Sequence, residues 1–189
     1  SYSVAQDGKV LASSIYPSVY FAGQGGTVHF ESVNIPEIYL IIEKIVAELN
    51  YTGQISFDFI RSDIDGTYYP IECNPRSTSG VHLFLPEDHL PSTFIKNVNL
   101  DKTIKAKVGN TKTVTLAMLV FCVPKVKSIE QGKQLFKRIL KSEDVVFNIK
   151  DLKPFIYQFI SLSHYASEGK KNNMSIMSAT TTDIEWNGD

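Results

Sequence analysis

The chain has 189 residues, an apolar share of 43% and a formal net charge of −1, which suits one large domain or two small ones of an ordinary globular protein. The charge balance leaves no electrostatic footprint for nucleic acid or a membrane surface. No run reaches the ~18 apolar residues that span a bilayer. The weak lysine clusters at 102–112 and 133–141 read as a solvated loop and a solvated helix face. Cys73 and Cys122 each sit in an apolar run, the setting of small buried hydrophobes in a reducing, cytoplasmic compartment. There is no charged-then-apolar targeting segment at the start. The sequence opens on Ser1 rather than Met and goes straight into strand-like residues, so a larger parent protein is expected to precede it.

Residues 2–5 and 9–16 flank Asp7-Gly8, a dipeptide whose glycine accepts the positive φ of a tight hairpin turn. Gly23, Gly25 and Gly26 mark a loop at 22–27, and 28–32 forms a short strand. Pro36 opens a helix, where its missing N–H costs nothing. Ile38, Ile41, Ile42, Ile45, Val46 and Leu49 form one apolar stripe along it. Residues 54–61 and 67–73 make a second hairpin around Ser62-Asp63-Ile64-Asp65-Gly66. A helix is expected over 86–98 and a strand over 113–123, ended by Pro124. Ser128 caps a helix through Leu140 whose buried side carries Ile129, Leu135, Phe136 and Ile139. A further helix follows Pro154 through Phe155, Phe159, Ile160 and Leu162. The polar tail at 174–189 ends in Ile184-Glu185-Trp186 and is expected to fold back, with Asp183 and Glu185 as surface or capping residues.

The segment 53–82 carries the chemistry. Strand alternation puts Ile55, Phe57 and Phe59 on one face, and Ser56 and Asp58 on the other. In the next strand Tyr69, Ile71 and Cys73 share a face opposite Glu72 and Asn74. A three-residue loop of Ile64, Asp65 and a left-handed Gly66 pairs Asp63 with Thr67 and sets Asp58 opposite Glu72, their Cβ atoms ~5 Å apart. A two-residue turn would separate them. Facing carboxylates repel unless something rewards the pairing. Mg²⁺ does, taking one or two carboxylates together with substrate phosphates. Asn74 adds an amide oxygen, and Arg76 a rigid cationic fork for phosphate or carboxylate. On spacing alone, an amphipathic hairpin with solvent-facing acids and a plain Asn74-Pro75 turn accounts for the same residues equally well.

Glu72-Cys73-Asn74-Pro75-Arg76 resembles the E-x-N-P-R element of ATP-grasp enzymes, with Asp58 at the acidic position of the preceding strand. Carbamoyl phosphate synthetase large subunits, biotin carboxylases and carboxylate–amine ligases share this element. The resemblance covers roughly residues 2–85. It implies an α+β fold, the C-terminal ATP-grasp subdomain, with a mainly antiparallel sheet and flanking helices over 1–100 and a small α/β extension packed on it over 101–189. It implies that Asp58, Glu72 and Asn74 bind Mg²⁺ (or Mn²⁺) bridging the phosphates of ATP, and that Arg76 is catalytic, stabilising the transferring phosphoryl group. The glycine loop at 23–26 corresponds to a nucleotide loop or to an ordinary connection.

The same resemblance places Ser77, Thr78, Ser79 and His82 beside an acceptor substrate, a small carboxylate or an amine. His82 is expected as a packed, hydrogen-bonded residue, with substrate contact or proton transfer as its other reading. His29, His89 and His164 read as structural or exposed, and Lys9 and Arg61 as surface residues. ATP-grasp sites lie between two subdomains, and the half that reads adenine is expected before Ser1. Weak ATP binding and little turnover by this chain alone follow. A non-catalytic nucleotide-binding or regulatory module, and an interaction domain using the hairpin as scaffold, are the rival readings.

Overall fold

A computed structural model describes residues 1–22, 26–95 and 102–180. The chain divides into two compact units, Ser1–Val19 with His29–Lys112, and Tyr20–Val28 with Thr113–Asp189. The expected boundary near residue 100 thus falls at 112, and the segment 20–28 joins the second unit.

The first unit opens with β1 (Tyr2–Gln6) and β2 (Lys9–Ser14). Asp7 (φ 47) and Gly8 (φ 75) are both left-handed, the turn that the right-handed twist of a hairpin favours. Two short strands of the second unit follow, β3 (Phe21–Ala22) and β4 (Gly26–Thr27). Gly26 of the expected glycine loop opens β4, whereas Gly23 and Gly25 lie outside the described residues.

The chain returns to the first unit with β5 (His29–Glu31) and α1 (Pro36–Glu48). α1 buries Ile38, Tyr39, Ile42 and Val46, while Leu49 lies past its end and is exposed. β6 (Gly53–Arg61) and β7 (Tyr68–Asn74) form the second hairpin, and β8 (Ile104–Lys105) completes the sheet. Strand order is β7-β6-β1-β2-β8, with β8 parallel to β2 and the other pairs antiparallel. The fold class is therefore α+β, as expected.

α1 packs on one face of this sheet. Ala5, Ile15, Ile55 and Phe57 meet Ile38, Tyr39, Ile42 and Val46 there. Burying eight such side chains supplies the main drive for this layer, each apolar side chain contributing about 1.5–3 kcal/mol. Single-turn helices at Ser79–Leu83, Pro86–Asp88 and Leu90–Phe94 follow β7, the first and third lying against β1 and β2. Gly80 abuts Tyr2 and Ser14, so this layer covers the face opposite α1. These turns replace the continuous helix expected over 86–98. His89 adopts a left-handed conformation (φ 52), which a right-handed helix does not contain, so the chain breaks there and restarts at Leu90. The remainder of that segment lies outside the described residues.

β9 (Thr111–Thr113) runs from the first unit into the second. The strand expected over 113–123 stops at Thr113 and becomes helix, α2 (Thr115–Ala117), continued as a wide turn over Met118–Cys122 and a tight one over Val123–Lys125. A continuous apolar run has no period of its own, so burial decides. Here Met118 and Cys122, four residues apart, enter one core with Ala22, Val28 and Leu135.

α3 (Ile129–Lys141) is capped by Ser128, whose Oγ accepts the Gln131 N–H at 3.2 Å, while Gln131 Oε1 accepts the Lys127 N–H at 2.8 Å. Of its expected buried side, Leu135 is buried and Ile139 partly so; Ile129 and Phe136 are exposed, a correction set by how narrow the core stripe is. β10 (Glu143–Asp144), α4 (Lys153–Lys171) and α5 (Ile176–Ala179) complete the second unit. Phe155 sits edge-on between Phe147 and Phe159, and Phe159 and Ile160 remain about half exposed. The expected α/β extension is thus mainly helical. The residues after Thr180, including Asp183, Glu185 and Trp186, lie outside the described residues. No described helix is long and apolar enough to cross a membrane.

Candidate functional site

Asp58 and Glu72 are direct cross-strand partners, and Ser56 is paired with Asn74. The register matches the sequence expectation, but the chain reaches it by another route. Ser62 N donates to Thr67 O at 2.9 Å and Gly66 N to Ser62 O at 3.0 Å, so the loop holds four residues, 63–66, rather than three. Left uncorrected, that turn would place Asp58 one residue out of step. Ile71 is the extra residue of a bulge between Asp58 and Phe59, and it restores the pairing.

The bulge also corrects the expected faces of β7. Tyr68 and Pro70 pair with Arg61 and Phe59 on the α1 side, where Arg61 lies over the Tyr68 ring. Tyr69 pairs with Ile60, on the carboxylate side. Cys73 shares the α1 side with Phe57, yet it is exposed, because β7 is the edge strand and α1 does not reach it. Cys122 is buried, as expected of both.

The carboxylate face of β6 and β7 lies beyond the part of the sheet that the single-turn helices cover. Asp58, Ile60, Tyr69 and Glu72 are all exposed there. Asn74 is half-buried; its Nδ2 donates to Glu72 Oε1 at 2.9 Å, and its Oδ1 accepts from Arg76 at 3.3 Å. Arg76 N donates to Asn74 O at 2.8 Å, closing a three-residue turn whose centre is Pro75, a residue with the required φ already set. Four expected site residues, Asp58, Glu72, Asn74 and Arg76, therefore occupy one continuous patch.

The turn after β7 is stitched to the sheet by hydroxyls. Ser56 Oγ donates to Arg76 O at 3.1 Å and lies 3.0 Å from Thr78 Oγ1. Tyr16 exchanges hydrogen bonds with the Thr78 side chain and the Gly80 backbone, and Ser14 Oγ donates to Gly80 O at 2.9 Å. Burial is the main cause that raises the Tyr16 pKa above 10.0, so its phenol stays protonated. Ser56 was legible only as a same-face neighbour of Asp58, and nothing in the sequence pointed to Tyr16. Ser56 bonds the Arg76 carbonyl directly, and Tyr16 meets Thr78 and Gly80 behind it.

The expected acceptor residues divide. Thr78 belongs to the hydroxyl network, Ser77 is exposed, and Ser79 begins the first single-turn helix. His82 is only partly packed: one side of the residue is open to solvent, and its ring lies 6.5 Å from that of the buried Phe30. Partial desolvation on that inner side, then the Lys112 ammonium, lowers its pKa below 6.5, so it is neutral at physiological pH. Among the contacts described, nothing joins it to the carboxylates. His29 is buried, and His89 and His164 are exposed. Lys9 lines a groove of ≈ 370 Å³ with Glu43 and Lys102, on the α1 side and apart from the carboxylate patch.

The donor set fits a hard divalent cation that keeps most of its other ligands from water and phosphate. Two carboxylates lie side by side on an open face, and among the described residues no group of three or more His, Cys, Asp or Glu forms a closed cage. Asn74 would join such a cation by turning its amide, since its oxygen now faces Arg76. Comparison of the chain with family models, with curated proteins and with solved structures returns no match.

Proposed function

We propose that this chain supplies the metal- and phosphate-holding side of an ATP-dependent ligase of the ATP-grasp type. The observation that carries the reading is the pairing of Asp58 with Glu72 on an open face, linked through Asn74 to Arg76. Two acids directly opposite on a strand pair repel, and a cation between them and a polyphosphate offsets that repulsion.

In this reading Asp58 and Glu72, joined by Asn74, would hold Mg²⁺ or Mn²⁺, which neutralises phosphate charge when bound. A substrate carboxylate oxygen attacks the γ-phosphorus of ATP, the bond to the bridging oxygen breaks, and ADP leaves. An amine then attacks the acyl carbon of the acyl phosphate and expels phosphate, losing its proton to solvent or base. Arg76 stands where charge develops on the transferring group. Its guanidinium also donates to the Ser77 carbonyl at 3.3 Å, a contact that survives the turn of the Asn74 amide, and its backbone is held by the turn, so it needs little reorganisation. Ser77, Thr78 and Ser79 lead away from Arg76 and are proposed to border the acceptor. His82 receives no role, because its contacts lie with Phe30.

The reading assigns no adenine contacts to this chain, so binding is expected to be weak and turnover slight. Titration of Mn²⁺–ADP followed by electron paramagnetic resonance tests it. The unmodified chain is expected to bind saturably, and Glu72→Ala to lose about ten-fold or more in affinity. Identical titrations for the two would favour the scaffold reading and reject this one.

A further inference from the structure

The strongest unassigned feature is a line of hydroxyls beneath Arg76, one buried and two half-buried. Ser56 is 1% exposed and paired with Asn74 on the carboxylate face. It has a single proton, and that proton goes to Arg76 O at 3.1 Å. Ser56 Oγ also lies 3.0 Å from Thr78 Oγ1. Thr78 in turn bonds the Tyr16 phenol, which meets the Gly80 backbone as well. The hydroxyls of Tyr16, Thr78 and Ser56 thus form one connected network that ends on the Arg76 carbonyl. Hydrogen bonds joined in this way reinforce one another where water is partly excluded.

The residues involved come from three separate stretches of sequence. Tyr16 follows β2, Ser56 lies in β6, and Thr78 and Gly80 follow β7. Such a chain is more than a turn needs, because the Asn74–Arg76 turn is already closed by its own backbone bond of 2.8 Å. What the chain adds is a fixed position for the carbonyl of Arg76, hence for its Cα, the point from which the guanidinium reaches out.

We propose that Ser56 is a positioning residue that, at the end of this hydroxyl chain, aims Arg76 at the phosphate of a bound nucleotide; the inference rests on the ligase reading above. Ser56 touches neither the metal acids nor the nucleotide, so its effect should appear only where Arg76 acts.

The test is a set of titrations of the full chain with Mn²⁺ alone and with Mn²⁺–ADP. Ser56→Ala is expected to weaken Mn²⁺–ADP about five-fold and to leave Mn²⁺ alone within about two-fold, the scale of one lost hydrogen bond acting through a neighbour. In an Arg76→Gln background, Ser56→Ala should cost nothing further, because both act through one group. Tyr16→Phe removes one link at constant size and should shift Mn²⁺–ADP in the same direction by a smaller factor. It serves if Ser56→Ala fails to fold. Equal losses for Mn²⁺ and Mn²⁺–ADP would mean general distortion of the hairpin and overturn the proposal, as would full additivity with Arg76→Gln. Binding by the unmodified chain with Ser56→Ala unchanged would end this inference alone. No binding of Mn²⁺–ADP by the unmodified chain would end the ligase reading and this inference with it.

Discussion

Gly80→Ala is expected to destabilise the first unit by about 3 kcal/mol, near the upper end of what overpacking a filled site costs. A Cβ at this position would stand 2.6 Å from Tyr2 Cβ, 2.8 Å from Ser14 Oγ and 2.9 Å from Tyr16 Cε1. Tyr2 and Ser14 are both fully buried, and the Tyr2 Cβ is fixed to the backbone of β1, so no flexible side-chain tip can give way. The single-turn helix at Ser79–Leu83 would have to lift from the sheet, breaking the Ser14 bond to Gly80 O and the Tyr16 contact. A chain of this size loses about 2–4 °C in Tm for each kcal/mol, so a fall of about 6–12 °C is expected in a thermal melt. A melt unchanged within about 2 °C would show that the layer yields freely and that the close approach is not a constraint.

Asp144→Ala is expected to cost the second unit about 2–3 kcal/mol, the sum of a lost helix cap and a lost charge-assisted turn. One Asp144 oxygen accepts the Thr115 N–H at 2.8 Å, at the start of α2. The other accepts the Val146 and Phe147 N–H groups at 2.8 and 2.7 Å. A single carboxylate thus ties the helical run after Thr113 to the segment after β10. Burial alone would raise its pKa, but hydrogen bonds from Thr115, Phe147 and Val146 outweigh that and hold it below 3.8. The folded pKa is therefore the lower one. As pH falls below 3.8 the unfolded chain takes up the proton first, and the stabilisation drains away as pH falls through the folded value. The Tm gap between the unmodified chain and Asp144→Asn should be full at neutral pH and shrink steadily in that acid window. A gap that stays constant with pH would mean that the charge contributes nothing and that only shape matters.

Several local features follow from local rules and could be read directly. The Asp7-Gly8 turn has both residues left-handed because the strand twist demands it, and Gly66 is left-handed in the second loop (φ 74). Pro36 starts α1, and Ser128 caps α3 through Gln131. The pairing of Asp58 with Glu72 was also expected, although for an incomplete reason: a longer loop and the Ile71 bulge offset one another. Alternation within β7 failed at that bulge, since an inserted residue reverses every face beyond it. The residues of the candidate site lie close in sequence, within 58–76, which is why their grouping was visible.

The amino-acid sequence by itself determined the hairpins, the starts of α1 and α3 and the side-by-side acids, because each depends on neighbours within a few residues or across one turn. Tertiary structure decided which apolar residues are covered. The run after Thr113 is helical because Met118 and Cys122 meet a shared core, and Ile129 and Phe136 stay exposed because that core is narrow. It also brought Tyr16, Ser56, Thr78 and Gly80 into one hydrogen-bonded line under Arg76. Contacts between residues that far apart in the chain leave no periodic trace in sequence, since only the closing of the sheet sets their distance.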